Sequence, residues 1–181
     1  AGKLIQAIRD MDLPELRIME ICGTHTMSIA KAGLRQILPP HIHLISGPGC
    51  PVCVTPSGVM DEVLRISQLP NVTITTYGDL LRVPGSVPGD NLQRRSAQGA
   101  DVRMVYSPMD SLDMAEQEPD REFIFLGVGF ETTAPGTAIA VQEAKARGRK
   151  NFSLLSLLKR TEPAMRAIIE SDDFNVSGFL C

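Results

Sequence analysis

The sequence predicts an α/β protein built on parallel sheet, and three observations predict it. Short β-branched or apolar runs alternate with helical patterns along the whole chain, the signature of repeated strand–helix–strand units. At three places such a run ends in an unusual turn that leads into a helix: Cys22-Gly23-Thr24-His25-Thr26, Gly47-Pro48-Gly49-Cys50-Pro51-Val52-Cys53-Val54-Thr55-Pro56, and Gly127-Val128-Gly129-Phe130-Glu131-Thr132-Thr133-Ala134-Pro135. Third, Phe123 to Val128 is continuously apolar, as strands buried on both faces of a parallel sheet are. Residues 1–118 are expected to form a first α/β domain and residues 119–181 the start of a second. Glu118-Pro119-Asp120 is the expected boundary.

The elements follow in order. Leu4 to Met11 reads as an incoming helix. Arg17 to Ile21 is a short strand running into the first turn. Ser28 to Leu38 reads as a helix with Ile29, Leu34, Ile37 and Leu38 on its apolar side, stopped by Pro39-Pro40. Ile42 to Ser46 is a strand running into the second turn. Thr55 then suits an N-cap and Pro56 the first helical position. That helix carries Val59, Val63, Leu64 and Ile66 and ends before Pro70. Val72 to Tyr77 is β-branched and reads as a strand. Residues 82–89 hold two prolines and two glycines, hence a loop. Asn91 to Gly99 is a short helix and Val102 to Tyr106 a strand, after which Pro108 and Asp110 open an acidic helix. Beyond Phe123–Val128, Thr133 and Pro135 mark the start of a helix that runs to Gly148, a C-cap glycine. Phe152 to Leu158 is a strand, Glu162 to Glu170 a helix, and Val176 to Leu180 a last strand before Cys181.

Composition narrows the function. The chain has 181 residues, 43% hydrophobic and 22% charged, enough for a packed core in a water-exposed protein. A net charge of −3 without a basic stripe argues against a nucleic-acid partner. No apolar run approaches the roughly 20 residues a membrane helix needs, and residues 1–20 mix charges in a way no signal peptide does. Four cysteines in such a chain point to the reducing cytoplasm, where a Cys-x-x-Cys is metal-binding or redox-active rather than a structural disulfide.

Each turn carries a chemical reading. Cys22 ends a strand and sits just before a helix, where the thiolate is stabilised and is ready to bind a soft metal or attack a disulfide. Thr24 and Thr26 supply hydroxyl donors, and His25 a second ligand or proton donor. Cys50-Pro51-Val52-Cys53 has the spacing of a redox dithiol and also of half a zinc site. Cys22, His25, Cys50 and Cys53 together make a possible zinc ligand set. The glycines and prolines around Cys50 form a stiff turn suited to presenting sulfur at a cleft. Gly127-Val128-Gly129 fails as a dinucleotide fingerprint, because Thr132 stands where the third glycine belongs. What survives is a helix start rich in hydroxyls, which favours anions. His41 and His43 are expected to face solvent, as are Asp61, Glu62, Asp110, Asp113, Glu116 and Glu118.

Taken together, the three turns closely resemble the HypD family of hydrogenase maturation factors. Tyr77-Gly78-Asp79, Arg82-Val83-Pro84-Gly85-Ser86 and Val105-Tyr106-Ser107-Pro108 resemble it too, so the likeness covers essentially the whole chain. It implies two similar α/β domains with a cleft between them, the second one truncated here. It implies a scaffold on which the Fe(CN)2CO group of [NiFe]-hydrogenases is assembled, working with a small HypC-type chaperone and a HypE-type cyanide donor. Carried over by motif, Cys22 is the iron ligand and Cys50 and Cys53 are a redox-active or assisting pair. Gly23, Thr24, His25, Thr26, Glu131, Thr132 and Thr133 line the cleft. Family members are about twice this long, with a [4Fe-4S] cluster on four later cysteines. Only Cys181 lies beyond Cys53, so that cluster's ligands are expected outside these residues. Cys181 itself resembles the first residue of a further Cys-Pro-Gly-His-Val motif. The alternative from another class is a thiol–disulfide oxidoreductase using Cys50 and Cys53.

Overall fold

The structure, a computed structural model, describes residues 2–181. It is α/β with two separate parallel sheets. It divides into two compact units: one runs from the amino end to Cys50 and resumes at Glu162–Cys181, the other is Pro51–Thr161. The boundary expected at residue 118 is therefore corrected. The strand predicted to open a second domain pairs directly with the strand at residues 72–76, because its apolar faces need cover on both sides and a central sheet position supplies it.

In the first unit, α1 (Gly2–Arg9) precedes β1 (Leu16–Glu20), and α2 (Gly23–Lys31) and α3 (Leu34–Ile37) lead to β2 (Ile42–Ser46). Strand β1 is central. It pairs in parallel with β2, from Leu16↔Ile42 to Glu20↔Ser46. The helix expected over Ser28–Leu38 is two helices. The first begins five residues earlier, immediately after Cys22, and Gly33 breaks the run at φ +60°. A glycine adopts that left-handed conformation at little cost, and it turns the chain so that α3 leaves on a new axis.

The second unit continues with α4 (Ser57–Ile66), β3 (Val72–Thr76), a 3-10 turn (Gly78–Arg82), α5 (Leu92–Ala97) and β4 (Asp101–Met104). Then come α6 (Pro108–Gln117), β5 (Glu122–Gly129), α7 (Ala134–Ala146) and β6 (Phe152–Leu158). Its sheet order is β4-β3-β5-β6, all parallel. Helix α4 starts one residue later than expected. Pro56 itself is the N-cap, and the Thr55 hydroxyl donates instead to the Pro51 carbonyl at 2.9 Å. Helix α6 has a full capping box: Ser107 Oγ accepts from Met109 N–H, and the Asp110 carboxylate accepts from Ser107 N–H at 2.9 Å. Asp110 is thus a cap rather than a solvated charge. Asp61 likewise accepts from the backbone and hydroxyl of Ser86, pinning the 82–89 loop to α4. The chain ends in α8 (Thr161–Ile169) and β7 (Gly178–Leu180), which completes the first sheet in the order β2-β1-β7.

The two units are packed very differently. Met60, Val63, Leu64, Ile74, Leu80, Leu92, Leu126, Val128 and Leu157 form one buried cluster in the second unit, with Phe123 and Phe125 also fully buried. Among the described residues of the first unit, only Ile29 and Pro39 are buried apolar side chains. Apolar burial is the main favourable term in folding. Hydrogen exchange is therefore expected to release the amides of β1 and β7 well before those of β3 and β5. Equal protection of the two sheets, measured by mass spectrometry, would contradict this.

Candidate functional site

The carboxyl edge of a parallel sheet, outside the strand ends, is where α/β proteins place ligands. In the first unit that edge collects Cys22 after β1, Gly47 to Cys50 after β2, and Cys181 after β7. Two glycines bring the first two turns together. A β-carbon on Gly49 would lie 2.6 Å from Cys22 Cα and 2.7 Å from Cys22 N. A β-carbon on Gly47 would meet the Met19 side chain and stand 2.9 Å from the Glu20 carbonyl oxygen. No side chain fits at either position, so the second turn lies directly across the end of β1. Gly47 N–H donates to the Glu20 carbonyl at 2.9 Å, and Gly23 N–H approaches the Gly49 carbonyl at 3.5 Å. On the other side Ile21 N–H donates to the Leu180 carbonyl at 2.9 Å.

Cys22 is the N-cap of α2, with extended backbone at φ −165° and ψ 128°. Its thiol is free and half-buried. The helix start does to it what the sequence led us to expect: the His25 N–H first, then the Thr24 N–H and hydroxyl, draw its pKa below that of an ordinary thiol. None of these is a full capping hydrogen bond, so the effect is that of dipoles converging on sulfur. Thr26 N–H donates to the Cys22 carbonyl at 3.2 Å, closing the first turn, and the Thr26 hydroxyl approaches the same oxygen at 3.5 Å. Gly23 and Thr24 are exposed. His25 is half-buried, and among the described residues its Nδ1, shut off from solvent, meets no hydrogen-bond partner.

This arrangement predicts a pH profile. Folding favours the Cys22 thiolate, so its contribution to stability is fully present above the ordinary thiol value of about 8.5 and fades as pH falls through the lowered folded value. The rate of Cys22 alkylation by iodoacetamide is expected to reach half-maximum below that of free cysteine. Thr24→Val should move the midpoint upward while leaving the His25 and Thr24 N–H groups in place. An unshifted midpoint in the wild-type chain would refute the thiolate assignment.

The remaining expected residues lie in the second unit. The unit boundary falls between Cys50, which is half-buried, and Pro51, and Cys53 is exposed beyond it. Neither cysteine of the pair caps a helix, since α4 begins at Ser57. At the carboxyl edge of β5, a β-carbon on Gly129 would fall 2.4 Å from Thr133 Cβ, so the third turn folds tightly onto itself. Thr133 is the N-cap of α7 and makes no side-chain cap bond, and Thr132 is exposed. Glu131 is already engaged. Its carboxylate accepts from the Thr161 N–H and hydroxyl, both at 2.7 Å, and the Thr161 hydroxyl above all holds its pKa below the usual range. Its local role is to fix the chain at Thr161.

Sequence reasoning missed Glu20. It is 1% exposed, ends β1, and its Oε1 accepts from Arg35 Nη2 at 2.5 Å and from Ser46 Oγ at 3.3 Å. A glutamate at the inner end of a sheet strand, two residues before a reactive cysteine, was the signal available. His41 also departs from expectation. Its Nε2 is buried without a partner among the described residues, while His43 is exposed and lies 3.5 Å from Glu15. A cavity of about 420 Å³ lies at the opposite, amino-terminal edge of the second sheet, lined by Asn71, Gln98, Asp101 and Arg121. Arg121 there is already paired with Asp101.

Among the described residues no three His, Cys, Asp or Glu side chains gather to hold a metal ion by themselves. A closed zinc site needs four ligands, and a [4Fe-4S] cluster four thiolates, so neither fits these residues.

The fold and the edge together define an α/β protein that presents cysteine-bearing turns at the carboxyl end of parallel strands. The HypD model, described as the hydrogenase formation hypA family, matches residues 1–181. The chain is 49% identical over 165 residues to "Hydrogenase maturation factor HypD" of Escherichia coli (strain K12), covering 91% of this chain and 44% of that protein. It is 48% identical over 160 residues to the protein of the same name from Rhizobium leguminosarum bv. viciae, covering 88% and 41%. With "Hydrogenase maturation factor HypD2" of Bradyrhizobium diazoefficiens it shares 45% over 177 residues, covering 98% and 46%. The chain belongs to the HypD family, and it spans less than half the length of these relatives. Among the described residues no helix is long and apolar enough to cross a membrane.

Proposed function

We propose that this chain acts in [NiFe]-hydrogenase maturation by holding an iron that carries cyanide and carbon monoxide, with Cys22 as the protein ligand. The observation that carries the reading is the activated Cys22 thiol at the start of α2. The named relatives are hydrogenase maturation factors, which supports the same process. Low-spin iron bearing strong-field carbon ligands suits a soft thiolate. Cyanide nitrogens need donors around them, and the Thr24 hydroxyl, the α2 N–H groups and His25 offer them. Cys50, brought to Cys22 by Gly49, and Cys53 serve as an assisting thiol pair. The iron is cargo, received with a HypE-type cyanide donor and passed on with a small HypC-type chaperone in the cytoplasm.

The thiol–disulfide oxidoreductase alternative is less well supported. Such enzymes activate a Cys-x-x-Cys thiol at a helix N-terminus, whereas here the helix starts four residues after Cys53. Infrared spectroscopy tests the proposal. Protein purified without oxygen after co-expression with hydrogenase maturation partners is expected to show cyanide and carbonyl stretching bands. Iron-replete protein without such bands would overturn it.

A further inference from the structure

We infer that Glu20, Arg35 and Ser46 form a positioning brace that sets the Cys22 turn against the Cys50 turn. The three residues come from the three chain segments that meet beneath these turns. Glu20 is the last residue of β1, two before Cys22. Ser46 is its register partner, the last residue of β2, four before Cys50. Arg35 lies on α3, which follows α2 through the Gly33 turn. One guanidinium nitrogen, Arg35 Nη2, donates to both: 2.5 Å to Glu20 Oε1 and 3.0 Å to Ser46 Oγ. Ser46 Oγ donates in turn to Glu20 Oε1 at 3.3 Å. The backbone repeats the link, since the Glu20 carbonyl receives Gly47 N–H.

This brace is poorly explained as a stability device. A carboxylate at 1% exposure is costly to bury, and Oε2 finds no partner among the described residues. The Arg35 side chain is 45% exposed, and an ion pair with one partner open to water adds little stability against the cost of burying the other. What the ion pair supplies, and an apolar pair does not, is a fixed direction between the ends of β1, β2 and α3. The first unit has little buried apolar surface to supply that direction by packing. Both cysteines then project from one rigid base, and α2 is held at the angle that aims its N–H groups at Cys22.

The role of the brace rests on the proposed iron site, but its test does not require iron. In a Cys53→Ser, Cys181→Ser background, crosslinking of Cys22 to Cys50 by a short dimaleimide is followed by mass spectrometry. Arg35→Met and Glu20→Gln are expected to slow it at least about tenfold, as a small displacement at a site does. The double variant Glu20→Met/Arg35→Met removes both charges at similar volume. It is expected to melt no lower than the parent and still to crosslink slowly. Wild-type crosslinking in that folded double variant would overturn the inference. Arg35→Lys keeps a charged donor and is expected to stay within about threefold of the parent. Equal slowing by Lys and Met would assign the effect to side-chain packing and overturn it as well. If the brace behaves as stated while infrared bands are absent, the iron reading fails and the brace stands.

Discussion

Replacing Cys22 with serine is expected to leave the chain folded and to strip it of iron. Cys22 is the N-cap of α2, and serine is among the residues preferred there. The substitution exchanges sulfur for oxygen in a half-buried side chain with the extended backbone an N-cap requires. The melting midpoint should hold or rise slightly. The hydroxyl, however, does not ionise near neutral pH and is a hard, weak donor for iron bearing cyanide and carbon monoxide. Iron per protein after anaerobic purification is expected to fall at least about tenfold, since losing even an outer-shell partner of a metal ligand costs about that much, and the cyanide and carbonyl bands should vanish. Full iron retention by the serine variant would place the ligand elsewhere.

Gly49→Ala is expected to have the largest structural effect of any single methyl added to this chain's cysteine edge. The new β-carbon would stand 2.6, 2.7 and 2.9 Å from Cα, N and C of Cys22. These are backbone atoms of the α2 N-cap, two residues past the end of β1, which β2 and β7 hold on either side, so no flexible side chain yields. Either the second turn lifts away or β1 shifts. Overpacking of this kind costs roughly 1–3 kcal/mol even where side chains absorb part of it. Denaturant titration should report a loss at or above that range, with Cys22–Cys50 crosslinking reduced in parallel. By contrast, Gly23→Ala meets nothing within 4 Å and should leave both readouts near the parent. Similar behaviour of the two variants would mean that the turns do not touch.

The parallel α/β character and most strands are legible in the sequence because they depend on local patterns. Ile42–Ser46 and Phe152–Leu158 fall where β-branched and apolar runs place them. The N-terminal activation of Cys22 is legible for the same reason. What the sequence hides is non-local. The split between Cys50 and Pro51 is invisible because the strand that completes the first sheet, β7, lies some 130 residues further on. The start of α2 at Gly23 was missed because glycine and two threonines are weak helix formers. The cap position and the contact with Gly49 decide it instead. The hydrogen bonds of Glu131 to Thr161 are hidden in the same way, because the partners lie thirty positions apart. Glu20 looked like an ordinary polar strand end because its partners Arg35 and Ser46 lie 15 and 26 positions away.

The interrupted connectivity of the first unit has a consequence for biosynthesis. Strand β1 is made early, but one of its two neighbours, β7, emerges only after all of Pro51–Thr161 has been synthesised. Non-local parallel pairings of this kind form late and slowly, whereas the second unit is contiguous and has its own buried cluster. A ribosome-bound chain stopped before Gly178 therefore already exposes Cys22, Cys50 and Cys53 but has only a two-stranded sheet beneath them. The three-stranded sheet beneath the thiol edge can close only once Gly178–Leu180 has been made, after the whole contiguous second unit.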